Sequence, residues 1–365
     1  MSIKKIRIGL IGLGAVCEMV HYPGFSRIPG VEIVGLCEVN KPLLSERQKQ
    51  WNITEGYTDI DSFLKHVKPE AVAISVPNVY HHDLVLKAIG AGCHVLCEKP
   101  IGMTIKEASN MYKAARNRGV RHMTAFTYRF VPGMRYLKQI VDEGKLGDIR
   151  HARFQRLQDW GDDYVGWRQY RRMAAMGELG DMGIHRIDFA ENLLGPIKTV
   201  CASLKQVVSR TQTIEGKSCE PQDVEDWVAW IAEFKSGVTG VFEMGKLTKG
   251  WGPEGDHDIC ELNGSQASAT YQLHKPHNIM IASRGEKYQS LDVPKKFLKL
   301  PGSPRDPQKG NTFQTFRFDQ AWEFITAIRD GRECVPSFYH GVRSQIVAET
   351  ILEASKTRRW IDVPG

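Results

Sequence analysis

Over the first third of the chain, short apolar runs alternate with stretches of helical spacing. Ile6–Ile11, Val31–Cys37, Ala71–Val76, His94–Cys97 and Arg121–Phe126 have the length and near-continuous apolar character of strands buried on both faces. Between them, Ala15–Ser26, Pro42–Trp51, Ile60–Val67, Tyr80–Ala91 and Ile105–Arg118 carry apolar residues at helical intervals. Strand and helix in alternation predict βαβ units and a parallel sheet with helices on both sides.

After about residue 125 the texture changes. A helix is expected over Gly133–Glu143, a strand over Asp148–Leu157, and then a long aromatic and charged stretch from Asp159 to Met176. Helical spacing returns over Glu178–Leu194. Runs with two-residue alternation follow at Ile197–Val208, Val224–Phe234, Thr239–Leu247, Asp258–Gly264 and Ser268–Leu273, with few helices between them. Strands in succession predict a largely antiparallel sheet, open or covered on one face. Pro294–Asn311 reads as a long loop, and helices near Thr315–Arg329 and His340–Thr357 complete the chain. The fold class is therefore α/β: an N-terminal dinucleotide-binding domain over residues 1–125, and a C-terminal α+β domain with an open-faced sheet over 126–365.

Composition narrows the class without changing it. The 365 residues are 42% hydrophobic and 25% charged, which excludes collagen-like, coiled-coil and wholly disordered chains. The net charge of +7 is scattered; its densest cluster, Arg168-Gln169-Tyr170-Arg171-Arg172, is too short for a nucleic-acid footprint and suits anionic small molecules better. No apolar run approaches the roughly 20 residues that span a bilayer. The first residues run straight into a strand pattern, so a soluble, cytoplasmic protein is expected. Eight cysteines are dispersed and none forms a C-x-x-C pair, so no disulfide framework is expected. Cys93, His94 and Cys97 fall on both faces of one strand, and His274 and His277 have no obvious third ligand. No metal is expected.

The chemistry begins at Gly9-Leu10-Ile11-Gly12-Leu13-Gly14-Ala15-Val16-Cys17, where the first strand meets the first helix. Gly12 suits a tight turn, Gly14 allows close backbone approach to a pyrophosphate, and the helix N-terminus faces the anion. Cys17 holds the third position of the fingerprint and departs from glycine or alanine there. The second strand ends at Glu38, a carboxylate placed to accept hydrogen bonds from a ribose diol and to repel a 2′-phosphate. NAD is favoured over NADP, with Lys41 nearby leaving some room for a phosphate. Where strand five ends, Cys97-Glu98-Lys99-Pro100 sets a lysine at the carboxyl end of a parallel sheet, the edge at which such sheets hold ligands. Pro100 biases Lys99 towards extended geometry.

With these residues in view, the chain resembles the glucose–fructose oxidoreductase and inositol dehydrogenase family, Gfo/Idh/MocA. The matching pieces are Gly9–Gly14, Glu38, Val76-Pro77-Asn78 with His81, and Glu98-Lys99-Pro100. They continue with Tyr128-Arg129-Phe130 before Pro132, Trp167-Arg168, Leu179-Gly180-Asp181-Met182-Gly183-Ile184-His185-Arg186-Ile187-Asp188, and a C-terminal segment from Phe324 to Asp362. The resemblance implies that Gly12, Gly14, Ala15, Val16, Glu38, Pro77, Asn78, His81, Glu98 and Lys99 line a dinucleotide site. It implies catalytic positions for Lys99, Asp181 and His185. Tyr128, Arg129, Trp167 and Arg168 would join these three around the substrate, and a homodimer or homotetramer would form through the second domain's sheet. Where relatives commonly carry a run of glycines, this chain has Ala175-Met176-Gly177-Glu178, which predicts a more crowded pocket wall.

Four residues apart in an expected helix, Asp181 and His185 share one face. A carboxylate there orients the imidazole and stabilises its protonated form, and imidazole suits proton removal from a secondary alcohol near neutral pH. Lys99 can hydrogen-bond the same alcohol. Trp160, Tyr164, Trp167, Arg168, Tyr170, Arg171 and Arg172 concentrate in one stretch that suits either a sugar ring or packing between subunits. The leading expectation is an NAD-dependent dehydrogenase acting on a secondary hydroxyl of a monosaccharide, sugar derivative or inositol. Two alternatives are a redox-neutral glycosidase that retains NAD and a non-catalytic NAD(H)-sensing regulator.

Overall fold

A computed structural model describes residues 5–161, 165–213, 216–252, 257–309 and 315–365. The chain forms two compact units, Met1–Phe130 with Lys299–Val342, and Val131–Leu298 with Arg343–Gly365. The division expected from the change of texture near residue 125 is linear, but the units are not. Lys299–Val342 returns to the first unit, where the side chain of Phe25 meets Phe324 edge-on with ring centroids 6.3 Å apart.

The first unit is built on β1 (Ile6–Ile11), β2 (Val31–Cys37), β3 (Gly56–Tyr57), β4 (Ala71–Ile74), β5 (His94–Cys97) and β6 (His122–Thr124). Every pairing is parallel, in the order β3-β2-β1-β4-β5-β6. Helices at Lys41–Trp51, Ile60–Val67, His81–Gly90 and Ile105–Arg118 connect the strands. Three of these start on side-chain caps, with Asn40, Asp59 and Thr104 accepting from Leu43, Ser62 and Glu107. Part of the core gathers Ile11, Phe63, Val72, Ile74, Val95 and Met111 with Phe338 from the returning segment. That core explains why the strands read as uninterrupted apolar runs.

Among the described residues, the second unit holds a nine-stranded sheet. Its strands are β7 (Ile149–Leu157), β8 (Ile197–Lys205), β9 (Trp227–Phe234), β10 (Thr239–Gly245), β11 (His257–Gly264), β12 (Ala267–Gln272), β13 (Asn278–Ser283), β14 (Gln289–Asp292) and β15 (Ile361–Asp362). All pairs are antiparallel except β7 with β10. One face is covered by helices Pro132–Asp142 and Ile184–Leu194 over a stack of aromatic rings. Phe154 and Trp230 lie parallel to Phe242 at centroid distances of 4.7 and 4.5 Å. The opposite face leaves Ile231 and Val241, cross-strand partners, exposed. The α/β class with an open-faced second sheet is as the alternation predicted.

The differences lie at edges and turns. Strands β3, β13, β14 and β15 were not anticipated. β3 and β15 have only two residues each, too short for a period to register. The first helix is π-helical over Cys17–His21. The helix expected over Glu178–Leu194 opens instead with a π-helical turn, Leu179–Gly183, and becomes α-helical only at Ile184. The loop expected at Pro294–Asn311 lies within the described residues as far as 309. It is anchored by the buried Asp319 carboxylate, which accepts from Leu300 N, Ser303 Oγ and Arg305 Nη2.

Candidate functional site

The glycine turn follows from sterics. Gly12 has φ +79°, and a Cβ there would lie 2.8 Å from the Ser75 carbonyl oxygen and 2.7 Å from Val76 Cγ1. Ser75 Oγ donates to the Gly12 carbonyl at 2.8 Å. A Cβ on Gly14 would meet nothing within 4 Å, so this side of the turn is open to a ligand, and Ala15 beside it is exposed with Val16 half-buried. Cys17 is packing, since burial pushes its thiol up to about 12 despite a hydrogen bond with Ser75. Glu38 at the end of β2 accepts from Leu13 N at 2.9 Å through Oε2 and from Asn40 N at 3.0 Å through Oε1. These bonds hold the carboxylate against the glycine loop and leave lone pairs for a diol. The residues present fit a dinucleotide.

A second wall joins the ends of β4 and β5. Pro77 precedes a short 3₁₀ turn, Asn78–Tyr80, in which Asn78 is buried. His81 is fully enclosed, with Nε2 2.9 Å from the Val76 carbonyl and Nδ1 2.8 Å from the Pro100 carbonyl. Burial lowers its pKa in spite of those carbonyls. The neutral ring sits between the two strand ends and donates its one N–H to one of these carbonyls. Glu98 Oε1 lies 2.9 Å from Nε2 of the buried His21, a partner that the sequence analysis missed. Burial would raise the Glu98 carboxyl, but the His21 hydrogen bond and the charges of His21, Lys99 and His81 outweigh it and hold the carboxyl below its usual value. The half-buried Lys99 follows, joined to Pro100 by a cis peptide. Tyr128 and Arg129 also belong to the first unit, where the Tyr128 ring lies 6.2 Å from that of Phe316.

In the second unit, Asp181 sits on the π-helical turn and His185 on the first turn of the α-helix after it, 5% exposed. The α-helical spacing assumed for the pair therefore does not run through Asp181. Asp181 Oδ1 is 3.4 Å from Arg168 Nε, and the Arg168 guanidinium lies 4.4 Å from the Trp167 ring centroid. Trp167, Arg168 and Asp181 are thus brought together. Other members of the aromatic stretch are engaged locally. Tyr170 OH donates to the Glu220 carbonyl, Arg171 N donates to Asp223 and Arg172 pairs with Glu220. Lys246 Nζ sits 5.5 Å from the Trp160 ring centroid. Tyr164 lies outside the described residues.

At the start of that turn lies a buried acid that the sequence analysis named only within the stretch expected to crowd the pocket wall. Glu178 is fully buried, and neither carboxyl oxygen has a hydrogen-bond partner among the described residues. The Glu225 carboxylate accepts from the N–H groups on either side of it, Gly177 at 2.8 Å and Leu179 at 3.1 Å. A Cβ on Gly177 would lie 2.1 Å from the Glu225 carbonyl oxygen, so the chain admits only glycine there without moving. The segment Ala175-Met176-Gly177-Glu178, expected to crowd the pocket wall, runs into this clamp.

A parallel sheet in this order, with a glycine turn closing β1 and a carboxylate closing β2, defines a Rossmann-type dinucleotide-binding fold. Residues 6–126 match the oxidoreductase family's NAD-binding Rossmann fold, and residues 134–270 match the GFO/IDH/MocA C-terminal domain. The chain belongs to the GFO/IDH/MocA oxidoreductase family. It is 26% identical to levoglucosan dehydrogenase of Pseudarthrobacter phenanthrenivorans across 99% of both chains. It is 31% identical to D-glucoside 3-dehydrogenase of Escherichia coli over 65% of this chain and 69% of that one. Levoglucosan dehydrogenase solved in complex with NADH and levoglucosan superposes with a TM-score of 0.90 over 99% of this chain and 100% of that one, at 25% identity.

Proposed function

We propose that the protein is an NAD-dependent dehydrogenase that oxidises a secondary hydroxyl on the ring of a sugar or sugar derivative. One observation carries this reading: over 99% of its length the chain follows an enzyme solved with NADH and levoglucosan. The lysine, aspartate and histidine that the chemistry needs are all present, as Lys99, Asp181 and His185.

NAD, when bound, supplies the hydride acceptor. The chain's own residues do the rest. Gly12 and Gly14 leave room for the pyrophosphate, and Glu38 takes the ribose hydroxyls. Pro77, Asn78 and Glu98 shape the wall, with His81 and His21 bracing it. Lys99 donates a hydrogen bond to the reacting hydroxyl and stabilises the negative charge that grows on its oxygen. Neutral His185 accepts the hydroxyl proton, while Asp181, backed by Arg168, stabilises the imidazolium that results. Trp167, Arg168, Tyr128 and Arg129 hold the ring and its remaining hydroxyls.

Incubation with NAD and a panel containing levoglucosan, alkyl glucosides, free hexoses, glucose 6-phosphate and inositols tests the reading by absorbance of reduced nicotinamide. Reduction with an anhydrosugar or glucoside is the expected outcome. Release of an aglycone without net reduction would establish the redox-neutral glycosidase instead, and NAD binding with no turnover on any member would establish the sensor. No helix among the described residues is long and apolar enough to cross a membrane. Eight free cysteines fit a reducing compartment, and the cytoplasm is the compartment we assign.

A further inference from the structure

We propose that Glu178 is a positioning residue for Asp181 and His185: a carboxylic acid held neutral at the start of the π-helical turn, whose ionisation disturbs that turn and limits turnover at alkaline pH. The inference rests on the roles proposed above for Asp181 and His185.

The geometry leaves Glu178 little freedom. Its own N–H donates to the Glu225 carbonyl at 3.1 Å, and the N–H groups of Gly177 and Leu179 on either side are both held by Glu225 Oε1. Swinging the side chain out to solvent would break this three-bond clamp. The carboxyl therefore stays where it is, fully buried, with neither oxygen hydrogen-bonded among the described residues. An ionised carboxylate in such a place costs far more than a neutral acid.

The charged groups around it do not compensate. Lys246, just past β10, and Arg156, on β7, favour the ionised form, whereas Asp181 on the π-helical turn and Glu225 ahead of β9 oppose it. Both cations are already matched by other carboxylates. Lys246 Nζ is 3.6 Å from Asp226, which also takes Arg210 at 3.0 Å, and Arg156 pairs with Asp258, which also takes Arg186. Burial is the largest influence and pushes the Glu178 carboxyl up to about 8. Below that pH, Asp181 stands over a neutral neighbour. Above it the proton leaves to solvent, and a second negative charge appears three residues before Asp181, on a backbone that has no room to move the side chain away.

Three measurements on the full chain test this, comparing wild type with Glu178→Gln and Glu178→Ala. The first is kcat against pH with NAD and the sugar found to react. Wild type should lose turnover above about pH 8. Glu178→Gln, a neutral group of the same shape, should keep its pH 7 rate and lack that alkaline limb. Glu178→Ala should lose about 10- to 100-fold in kcat at pH 7 with KM little changed, because the cavity left by the buried side chain lets the turn shift. The second is the melting temperature without substrate. A carboxyl raised from its usual value to about 8 contributes stability that is complete at low pH and is lost as pH rises to the folded value. The gap in favour of Glu178→Gln should therefore widen from about pH 5 to pH 8 and then level off. The third is the ring resonance of His185, assigned by its loss in His185→Ala, which should show a titration step near pH 8 in wild type and none in Glu178→Gln. Parallel melting curves, an alkaline limb unchanged by Glu178→Gln, or full kcat in Glu178→Ala would overturn the proposal. The melting and resonance measurements need no sugar, so a chain that turns over nothing would sink the dehydrogenase reading while these two still decide Glu178.

Discussion

Glu38 binds two backbone N–H groups of its own chain and is proposed to bind a ribose diol as well, so its loss has two separable consequences. Glu38→Ala should weaken NAD by about 1.5–3 kcal/mol, roughly 10- to 100-fold in Kd, the range for hydrogen bonds to a charged group. NADP should lose less or gain, because repulsion of its 2′-phosphate disappears and Lys41 remains nearby. Equal losses for both coenzymes in a fluorescence titration would place the carboxylate in the loop's architecture alone. His185 offers a second residue-scale measurement. If it takes the substrate proton, sugar oxidation falls as pH drops through the imidazole's titration, since imidazolium has no lone pair to accept with. His185→Ala should lose that acidic limb along with about 10²–10⁴-fold of rate. An unchanged limb in the alanine variant would hand the proton to another group.

Elements carry consequences that single residues do not. The π-helical turn Leu179–Gly183 is anchored at its start by the Glu225 side chain, which accepts from the N–H groups of Gly177 and Leu179. Gly177 lies against the backbone of Glu225, with a virtual Cβ 2.1 Å from its carbonyl oxygen, and backbone cannot step aside as a flexible side chain can. Gly177→Ala should therefore cost about 1–3 kcal/mol by overpacking. Because the displaced segment leads directly into Asp181, kcat should fall more than the thermal midpoint alone would suggest. An alanine variant with wild-type melting and wild-type kcat would show that the clamp does not set the turn.

For the whole molecule, the feature with a consequence is the face of the second unit's sheet that leaves apolar residues exposed. Ile231 and Val241 face each other across β9 and β10 and are 42% and 46% exposed, while Trp230 and Phe242, their neighbours on the opposite face, are buried. An exposed apolar pair on a broad sheet suits a second copy of the same chain. If a homodimer or homotetramer forms through this face, Val241→Lys should shift it towards monomer in sedimentation while leaving the circular dichroism spectrum unchanged. A mass unaffected by the lysine would move the interface elsewhere.

What the sequence determined by itself is whatever depends on local period and short motifs. Alternating apolar runs specify a parallel sheet because both faces must be covered, and two-residue alternation specifies an antiparallel one with an open face. The glycine turn at Gly12–Gly14 and the carboxylate at the end of β2 were legible because each stands at a strand end or in a short pattern, and the roles proposed for Lys99, Asp181 and His185 rest on short patterns of the same kind. The tertiary structure decided what depends on residues far apart in the chain. It returned Lys299–Val342 to the first unit, paired His21 with Glu98, and enclosed His81 between two carbonyls. It added the two-residue edge strands β3 and β15, which borrow their order from neighbours already in place. It also turned Glu178, an ordinary acid by its position in the sequence, into a buried carboxyl raised to about 8. Protonation follows from burial and from the charges that surround a group, and only the folded chain brings β7, β10, the residues before β9 and the π-helical turn around one side chain.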